Sequence, residues 1–308
     1  MTNGGPRETR RGAGKLREVG RSEVGAQKVL APVEKDEDWN VELAAPGPDV
    51  RPGSTDRLRA SSRENVAFCD EGIISPAKRV DVLQGLRDST SLAGEELRLL
   101  GAKVLDISRE RGMTCLAVTS SLPGEGKSTV ATGLADALAR EPGRRILLIE
   151  ADLRRPSLQT TLGIPPAPGL AEWLNGRIDY VPVRLVQPGG FFLLVAGQCE
   201  LERPEFLGSP RMDSLLQAAR GLFDLVVLDA MPILPVADTV LIQDLVDGFL
   251  LIVRSRQTPR DALRDALGRL RADRVVGVVL NDHEEHRSSY RTQAYKRYGI
   301  DYLPPGRD

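Results

Sequence analysis

A short polar segment, residues 120–129, carries the residue types needed to bind a phosphate chain. It reads Ser-Ser-Leu-Pro-Gly-Glu-Gly-Lys-Ser-Thr and stands between an apolar run and a segment with helical spacing. Gly124 and Gly126 let the backbone curl, so that its N–H groups can point at phosphate oxygens. Lys127 is expected to reach the terminal phosphates, and the Ser128 hydroxyl to ligate Mg²⁺. The residues predicted to contact a nucleotide are therefore Pro123, Gly124, Glu125, Gly126, Lys127, Ser128 and Thr129.

Two acids, Glu150 and Asp152, follow the apolar run 146–149. Side chains two residues apart on an extended chain point the same way, so both carboxylates are expected to face one site. Beside a phosphate-bound Mg²⁺, such carboxylates can hold the waters of the metal or accept a proton from a nucleophile. Solvated charges at the end of a strand are the alternative interpretation.

A third acid, Asp229, follows the apolar run 225–228. The run predicts a buried strand that ends in a carboxylate placed to assist Mg²⁺. By itself this pattern is common, but its position after the phosphate segment favours the functional interpretation. We predict Lys127, Glu150, Asp152 and Asp229 as catalytic residues, and Ser128, Asp152 and Asp229 as the residues that hold the metal.

Apolar runs that alternate with amphipathic segments must position these residues. Runs without polar alternation are typical of strands buried on both faces of a sheet. Strands that alternate with helices predict an α/β fold of three layers, with a mainly parallel central sheet flanked by helices. Ligands of such sheets bind beyond the carboxyl ends of the strands, where the three motifs fall. The predicted strands are 114–119, 145–149, 191–195, 225–228, 248–253 and 275–280, and the predicted helices include 94–109, 127–140, 212–220 and 259–271.

Composition divides the chain into three regions. Residues 1–90 are rich in Gly, Pro, Ser, Arg and Glu without a lasting period, which predicts a largely disordered N-terminal region. Residues 91–285 form the predicted nucleotide-binding domain. Residues 286–308 are predicted to be a flexible C-terminal tail that contains tyrosines.

Bulk properties narrow the class of protein. The formal net charge is −1 and the aromatic share is 4%, which argues against nucleic acid as a partner. Apolar runs are far shorter than the roughly 20 residues that a membrane helix needs, so we expect no membrane span and no signal peptide. Three separated cysteines without a CxxC pair are typical of a reduced, cytoplasmic protein.

The three motifs, in this order, resemble those of the bacterial tyrosine kinases of capsule and exopolysaccharide systems, which belong to the P-loop NTPases. The phosphate segment, the acidic strand with its Asp-Leu-Arg-Arg-Pro sequel and the run Phe-Asp-Leu-Val-Val-Leu-Asp carry the likeness. The resemblance implies a P-loop NTPase fold, ATP and Mg²⁺ as cofactors, and protein-tyrosine kinase activity that regulates polysaccharide synthesis and export. It also implies that Asn281 lies by the adenine base.

The C-terminal tail carries four of the five tyrosines of the chain, namely Tyr290, Tyr295, Tyr298 and Tyr302. The resemblance implies that a neighbouring subunit phosphorylates them. A tyrosine hydroxyl, with a pKa of about 10, needs a base near neutral pH, and Asp152 or Glu150 is expected to serve. An incidental aromatic cluster is the alternative interpretation.

The resemblance also implies partners. Many relatives need a membrane protein as activator, so we expect a membrane-embedded polysaccharide chain-length regulator, supplied in trans, to recruit the chain to the inner face of the cell membrane. In the family a Glu-x-x-Arg-x-x-Arg helix supports self-association. Glu95 and Arg98 match this motif, but Gly101 stands in place of the last arginine.

Two other functions stay open. Glu150 stands where the family usually has aspartate, and together with Gly101 and Ala230 it favours a weakly active or inactive nucleotide-dependent scaffold of the export machinery. A partitioning-type ATPase is the other alternative. The phosphate segment lacks the early lysine of that class, which argues against it.

Overall fold

The computed structural model describes residues 1, 28–30, 66–74, 91–198, 204–235 and 241–282. Strands in these residues form one sheet in the order β1-β2-β5-β6-β4-β7-β3-β8-β9. The pairs β1–β2 and β5–β6 are antiparallel, and every other neighbouring pair is parallel, so the prediction of a mainly parallel sheet is confirmed. The bounds are β1 Lys28–Leu30, β2 Ala67–Ile74, β3 Cys115–Ser120, β4 Ile146–Glu150, β5 Tyr180–Val186, β6 Phe191–Leu194, β7 Leu225–Asp229, β8 Gly248–Arg254 and β9 Val275–Asn281.

Helices flank the sheet, and polar residues fix where two of the longest ones begin. Ser91 accepts a hydrogen bond from Gly94 N at 3.0 Å at the start of α1, and Ser209 caps α5 just before Pro210. Such caps give a partner to N–H groups that the helix leaves unpaired. The described helices are α1 Leu92–Arg111, α2 Lys127–Ala139, α3 Leu158–Thr161, α4 Leu170–Leu174, α5 Pro210–Leu222 and α6 Arg260–Arg269.

Apolar side chains cover both faces of the sheet. In β3, Cys115 and Ala117 pack on one face while Leu116 and Val118 pack on the other, and all four are fully buried. Residues of α4, α5 and α6 complete the first core, and residues of α1 and α2 complete the second. The predicted three-layer α/β fold is therefore confirmed, and the central strands are shielded from water on both sides.

The six predicted strands agree with β3, β4, β6, β7, β8 and β9 to within one residue at each end. The sequence pattern predicts none of β1, β2 and β5. Pro182 and Arg184 break the apolar run of β5, and proline is unfavourable inside a strand. The buried Arg184 forms an ion pair with Glu71 of β2. Because β1 and β2 come from residues 1–90, short parts of the predicted N-terminal region join the sheet, while its boundary at residue 90 stays a prediction.

The edge strand β9 corrects the expectation that every predicted strand is buried on both faces. Val278 and Leu280 are each 52% exposed. Among the described strands β9 pairs with β8 alone, because it is the last strand of the sheet. The apolar composition of this run therefore reflects a partly covered sheet edge and not the centre of the core.

Candidate active site

The phosphate segment forms a tight loop between β3 and α2. It leaves β3 at Ser120 and enters α2 at Lys127. Gly124 and Gly126 have φ angles of 81° and 87°, in the left-handed region that favours glycine. A Cβ on Gly126 would also collide with the side-chain amide of Asn281. The loop therefore takes the curled path that the sequence predicts and ends at the start of a helix, a favourable place for a phosphate anion.

Groups from the ends of β8 and β9 brace this loop. The Asn281 side-chain amide donates a hydrogen bond to the main-chain oxygen of Glu125 at 2.9 Å. The Glu125 carboxylate is buried and accepts hydrogen bonds from Leu122 N, at 3.0 Å, and from the Thr258 hydroxyl. The observed contact of Asn281 is thus with the loop, and its adenine role stays a prediction.

The Lys127 ammonium lies between two carboxylates next to the loop. Its Nζ is 2.8 Å from Asp152 Oδ2 and 3.6 Å from Asp229 Oδ1, and it donates to the Ser128 hydroxyl at 3.3 Å. Burial lowers the pKa of Lys127, but the charges of Asp229 and Asp152 outweigh burial, so the pKa lies above its ordinary value. The structure therefore brings together residues from three separate sequence motifs, while their chemical roles stay predictions.

Asp229, another acid of the site, lies at the end of β7. It is fully buried, and within the described part of the chain no main-chain N–H donates a hydrogen bond to either carboxylate oxygen. Burial raises the pKa of Asp229 to about 6, although Lys127 and the Ser128 hydroxyl lower it, and Glu150 and Asp152 raise it further. An acid with these surroundings is stabilised by any cation that reaches it, and perturbed acids of this kind cluster at functional sites.

Asp152 lies in the turn that follows β4. One carboxylate oxygen accepts a hydrogen bond from Arg155 N at 3.0 Å, and the other faces Lys127. Its side chain keeps 7% exposure against 1% for Asp229. Asp152 is therefore the more exposed of the two acids, although both are buried.

Glu150 differs from the other two acids. Its carboxylate accepts three main-chain hydrogen bonds, from Ser157 N, Leu158 N and Ala196 N. Of the pair expected to face one site, only Asp152 contacts Lys127. In the described structure no contact supports the catalytic role that the sequence predicts for Glu150.

The main chain after β7 is held beside the phosphate loop. Ile233 N donates to Ser120 O at 2.8 Å, and the Thr119 hydroxyl donates to Met231 O at 2.6 Å. Arg269 of α6 donates to the main-chain oxygens of Ile233 and Leu234 at 3.1 and 2.9 Å. The sequence pattern does not predict the contacts of Thr119 and Arg269 with this segment. Thr119 gives a signal, as a hydroxyl inside an apolar strand, whereas Arg269 gives none on its amphipathic helix.

Other sequence predictions concern residues outside this site. The tail tyrosines Tyr290, Tyr295, Tyr298 and Tyr302 lie outside the described residues. In α1, Glu95 and Arg98 form an ion pair, and Gly101 is buried where α1 meets Ala137 of α2. No described helix is long and apolar enough to cross a membrane.

The donor set fits Mg²⁺ better than a metal held by protein alone. No cluster of three or more His, Cys, Asp or Glu side chains with metal-binding geometry occurs in the described segments. Mg²⁺ usually binds through one or two carboxylates, several waters and the phosphates of a substrate. The Asp229 carboxylate, to which no described main-chain N–H donates, matches that requirement together with the Ser128 hydroxyl and Asp152.

Comparison with known proteins identifies the family. Residues 116–304 match the CobQ/CobB/MinD/ParA nucleotide-binding domain. The tyrosine-protein kinase YwqD of Bacillus subtilis (strain 168) is 30% identical over 200 residues, which cover 64% of this chain and 84% of the relative. The chain belongs to the bacterial tyrosine kinases. The resemblance drawn from the motifs is confirmed.

Two further proteins are similar to this chain. The succinoglycan biosynthesis transport protein ExoP of Rhizobium meliloti (strain 1021) is 38% identical over 172 residues, which cover 54% of this chain. The kinase domain of the Escherichia coli tyrosine kinase ETK has 28% identity and a TM-score of 0.60, over 64% of this chain and 78% of that domain. The matched part spans only 22% of the length of ExoP.

Proposed function

We propose that the chain is an ATP-dependent protein-tyrosine kinase that regulates polysaccharide synthesis and export. The observation that carries this proposal is the Lys127 ammonium, held between Asp152 and Asp229 beside a phosphate-binding loop, in a member of a tyrosine kinase family. The proposed substrates include its own tail tyrosines, Tyr290, Tyr295, Tyr298 and Tyr302, phosphorylated in trans by a neighbouring copy.

The residues allow the transfer to be written as an in-line reaction. A tyrosine oxygen attacks the γ-phosphorus of ATP, a new oxygen–phosphorus bond forms, and the bond from the γ-phosphorus to the bridging oxygen breaks, so that ADP leaves. Asp152 accepts the hydroxyl proton of the tyrosine, because it is the least buried of the three site acids and contacts Lys127. Lys127 and the loop N–H groups stabilise the charge on the phosphate oxygens, since phosphoryl transfer depends mainly on positioning and electrostatics.

ATP and Mg²⁺ are the proposed cofactors. Ser128, Asp229 and Asp152 would hold the metal, directly or through its waters. When bound, Mg²⁺ would neutralise charge that develops on the phosphates. In the structure the Lys127 ammonium balances the charges of Asp152 and Asp229, so these carboxylates are already arranged for a positive charge.

We further propose that the kinase acts at the inner face of the cell membrane with a membrane-embedded chain-length regulator as activator. The similarity to ExoP, a transport protein of succinoglycan biosynthesis, supports an export context. Self-association through α1 is part of this proposal, and the Glu95–Arg98 ion pair leaves two motif residues in place for it.

Phosphotyrosine detection on the purified full chain, with and without ATP and Mg²⁺, tests the kinase function. We expect signal only with both, none in Lys127→Ala, and a strong loss when the four tail tyrosines are replaced by phenylalanine. Equal labelling of the wild type and the tail variant would show that the tail is not the acceptor. A wild type that stays unlabelled, alone and with the cytoplasmic part of the activator, would reject the kinase proposal.

A nucleotide-dependent scaffold is the second candidate. The engagement of Glu150 by main-chain N–H groups favours it, because one of the two predicted bases is then unavailable. Magnesium-dependent ATP binding without phosphotyrosine is the expected result for this candidate. ATP hydrolysis that DNA or lipid stimulates would instead indicate the partitioning-type ATPase.

A further inference from the structure

Glu150 makes the most complete set of hydrogen bonds of any acid in the site. Oε1 accepts from Ser157 N and Leu158 N, both at 2.6 Å, and Oε2 accepts from Ala196 N at 3.0 Å. A carboxylate offers about four lone-pair sites, so most of its capacity is used. Hydrogen bonds to an ionised acceptor are roughly twice as strong as neutral ones. The side chain is also fully buried, so both its position and its partners are tightly constrained.

These bonds close the segment 151–156, which carries Asp152. At the start of the segment, Ala151 N donates to Asp229 O at 2.9 Å. At its end, α3 begins, and the Ser157 side chain makes no capping hydrogen bond there. The Glu150 carboxylate supplies the partner that the first N–H groups of α3 would otherwise lack. The segment is therefore fixed at both ends, and the place of Asp152 between them is fixed as well.

We propose that Glu150 is a positioning residue, which holds Asp152 against Lys127 through the segment 151–156 and exchanges no proton with the substrate. A general base must come within hydrogen-bonding reach of the proton that it abstracts. The oxygens of Glu150 face main-chain N–H groups in a fully buried place. Asp152 then serves alone as the proton acceptor. This inference rests on the proposed function of the site and assigns separate roles to its acids.

The length of the Glu150 side chain is part of how this residue holds the segment 151–156. Glu150 lies at the end of β4. Its carboxylate reaches Leu158 N in the first turn of α3 on one side and Ala196 N, just after β6, on the other. Aspartate keeps the negative charge but is shorter by one carbon–carbon bond, about 1.5 Å. It cannot keep hydrogen bonds to both sides at once. Glu150→Asp therefore separates the two roles, since a base needs the carboxylate and a positioning residue also needs its reach.

Glu172 offers a matched control. It is another buried glutamate whose carboxylate accepts main-chain hydrogen bonds, from Gly169 N at 2.8 Å and from Gln198 N at 2.9 Å. It does not bond to either end of the segment 151–156. Glu172→Gln removes the same kind of interaction without releasing Asp152.

Binding of a fluorescent ATP analogue to the full chain, in Mg²⁺ or in EDTA, tests the inference without relying on kinase activity. We expect Glu150→Asp and Glu150→Gln to weaken affinity in Mg²⁺ about tenfold, the usual scale for losing a group that orients a metal's ligands. Affinity in EDTA is expected to stay close to the wild type, because the loop and Lys127 are intact. Glu172→Gln is expected to match the wild type in both buffers.

A double-mutant cycle with Asp152→Asn distinguishes positioning from general structural support. Because Glu150 acts through Asp152, adding Glu150→Asp to Asp152→Asn should cause no further loss of affinity in Mg²⁺. Additive losses, or a Glu150→Asp protein that binds like the wild type, would overturn the inference. Loss of folding in both Glu150 variants would overturn it in favour of a purely structural role. A wild type whose affinity ignores Mg²⁺ would remove the proposed magnesium site and this inference together.

Discussion

The apolar strands β4 and β7 each end in a fully buried acid, and the two acids are paired in register. Glu150 lies directly beside Asp229 in the sheet. Glu150 accepts three main-chain hydrogen bonds, whereas Asp229 accepts none from the described residues. Two similar sequence patterns thus give one acid that is satisfied and one that is not.

The chain that follows each strand explains the difference. After β4 the chain turns and returns two N–H groups to Glu150 within eight residues. After β7, Ile233 N and Leu234 N donate instead to the main-chain oxygens of Ser120 and Ser121 in the phosphate loop. A satisfied acid stabilises local structure, while an unsatisfied one beside Lys127 is poised to hold a cation. The partners of a buried acid therefore decide its role more than its place on a strand does.

Asp229→Asn keeps the shape of the side chain and removes its charge, so it tests the role of this acid most directly. We expect the rate of tyrosine phosphorylation to fall by a factor of about 100 to 1,000, on the scale of losing one preorganised electrostatic group. Phosphotyrosine formation over time measures it. Asp224→Asn, at the opposite end of the same strand, is the control and should keep the wild-type rate. An Asp229→Asn protein as fast as the wild type would contradict an active role for Asp229.

The stability of the metal-free protein should show the same contrast with a smaller effect. The pKa of Asp229 is raised from 3.8 to about 6, so the folded state holds the proton more tightly than the unfolded state. Its contribution to stability is complete below about pH 4 and is lost as the pH rises through about 6. We therefore expect Asp229→Asn to raise the free energy of unfolding at pH 7 by on the order of 3 kcal/mol, at about 1.4 kcal/mol per pKa unit.

Urea unfolding in EDTA at pH 4 and pH 7 measures this stability. The Asp229→Asn variant should lose less stability than the wild type between the two pH values, because its amide does not titrate. Glu150→Gln should do the opposite and lower stability at pH 7, since an amide cannot accept all three hydrogen bonds. If Glu150→Gln instead raised the free energy of unfolding, the main-chain hydrogen bonds of Glu150 would not be stabilising the fold.

The smallest expected effect concerns Asn281, and it extends the comparison from the acids to the loop. Asn281→Ala removes the hydrogen bond to Glu125 O, and a lost hydrogen bond of this kind costs about 1 kcal/mol. We expect the affinity for fluorescent ATP and GTP analogues to fall about fivefold for both. Asn175→Ala, exposed after α4, should change neither. A loss confined to the ATP analogue would instead support contact between Asn281 and the adenine base.

Strand prediction worked best where burial is symmetrical. β3, β4 and β7 are continuous apolar runs because helices cover both faces of the sheet there, and the sequence predicts all three. β5 was not predicted because Pro182 and Arg184 interrupt its apolar run, and the charge of Arg184 is paired with Glu71 of β2. That ion pair joins residues more than a hundred positions apart, which no local pattern reveals.

By itself, the sequence determined the phosphate loop, the order of strands and helices in the core and the family, because glycine conformation and apolar periodicity are local properties. It also identified Lys127, Ser128, Asp152 and Asp229 as residues that belong to one site. Only the tertiary structure decided which acid faces Lys127 and which faces main-chain N–H groups. That choice depends on how the segments after β4, β6 and β7 return to the sheet, and hydrogen bonds between distant segments are not encoded in the type of any single residue.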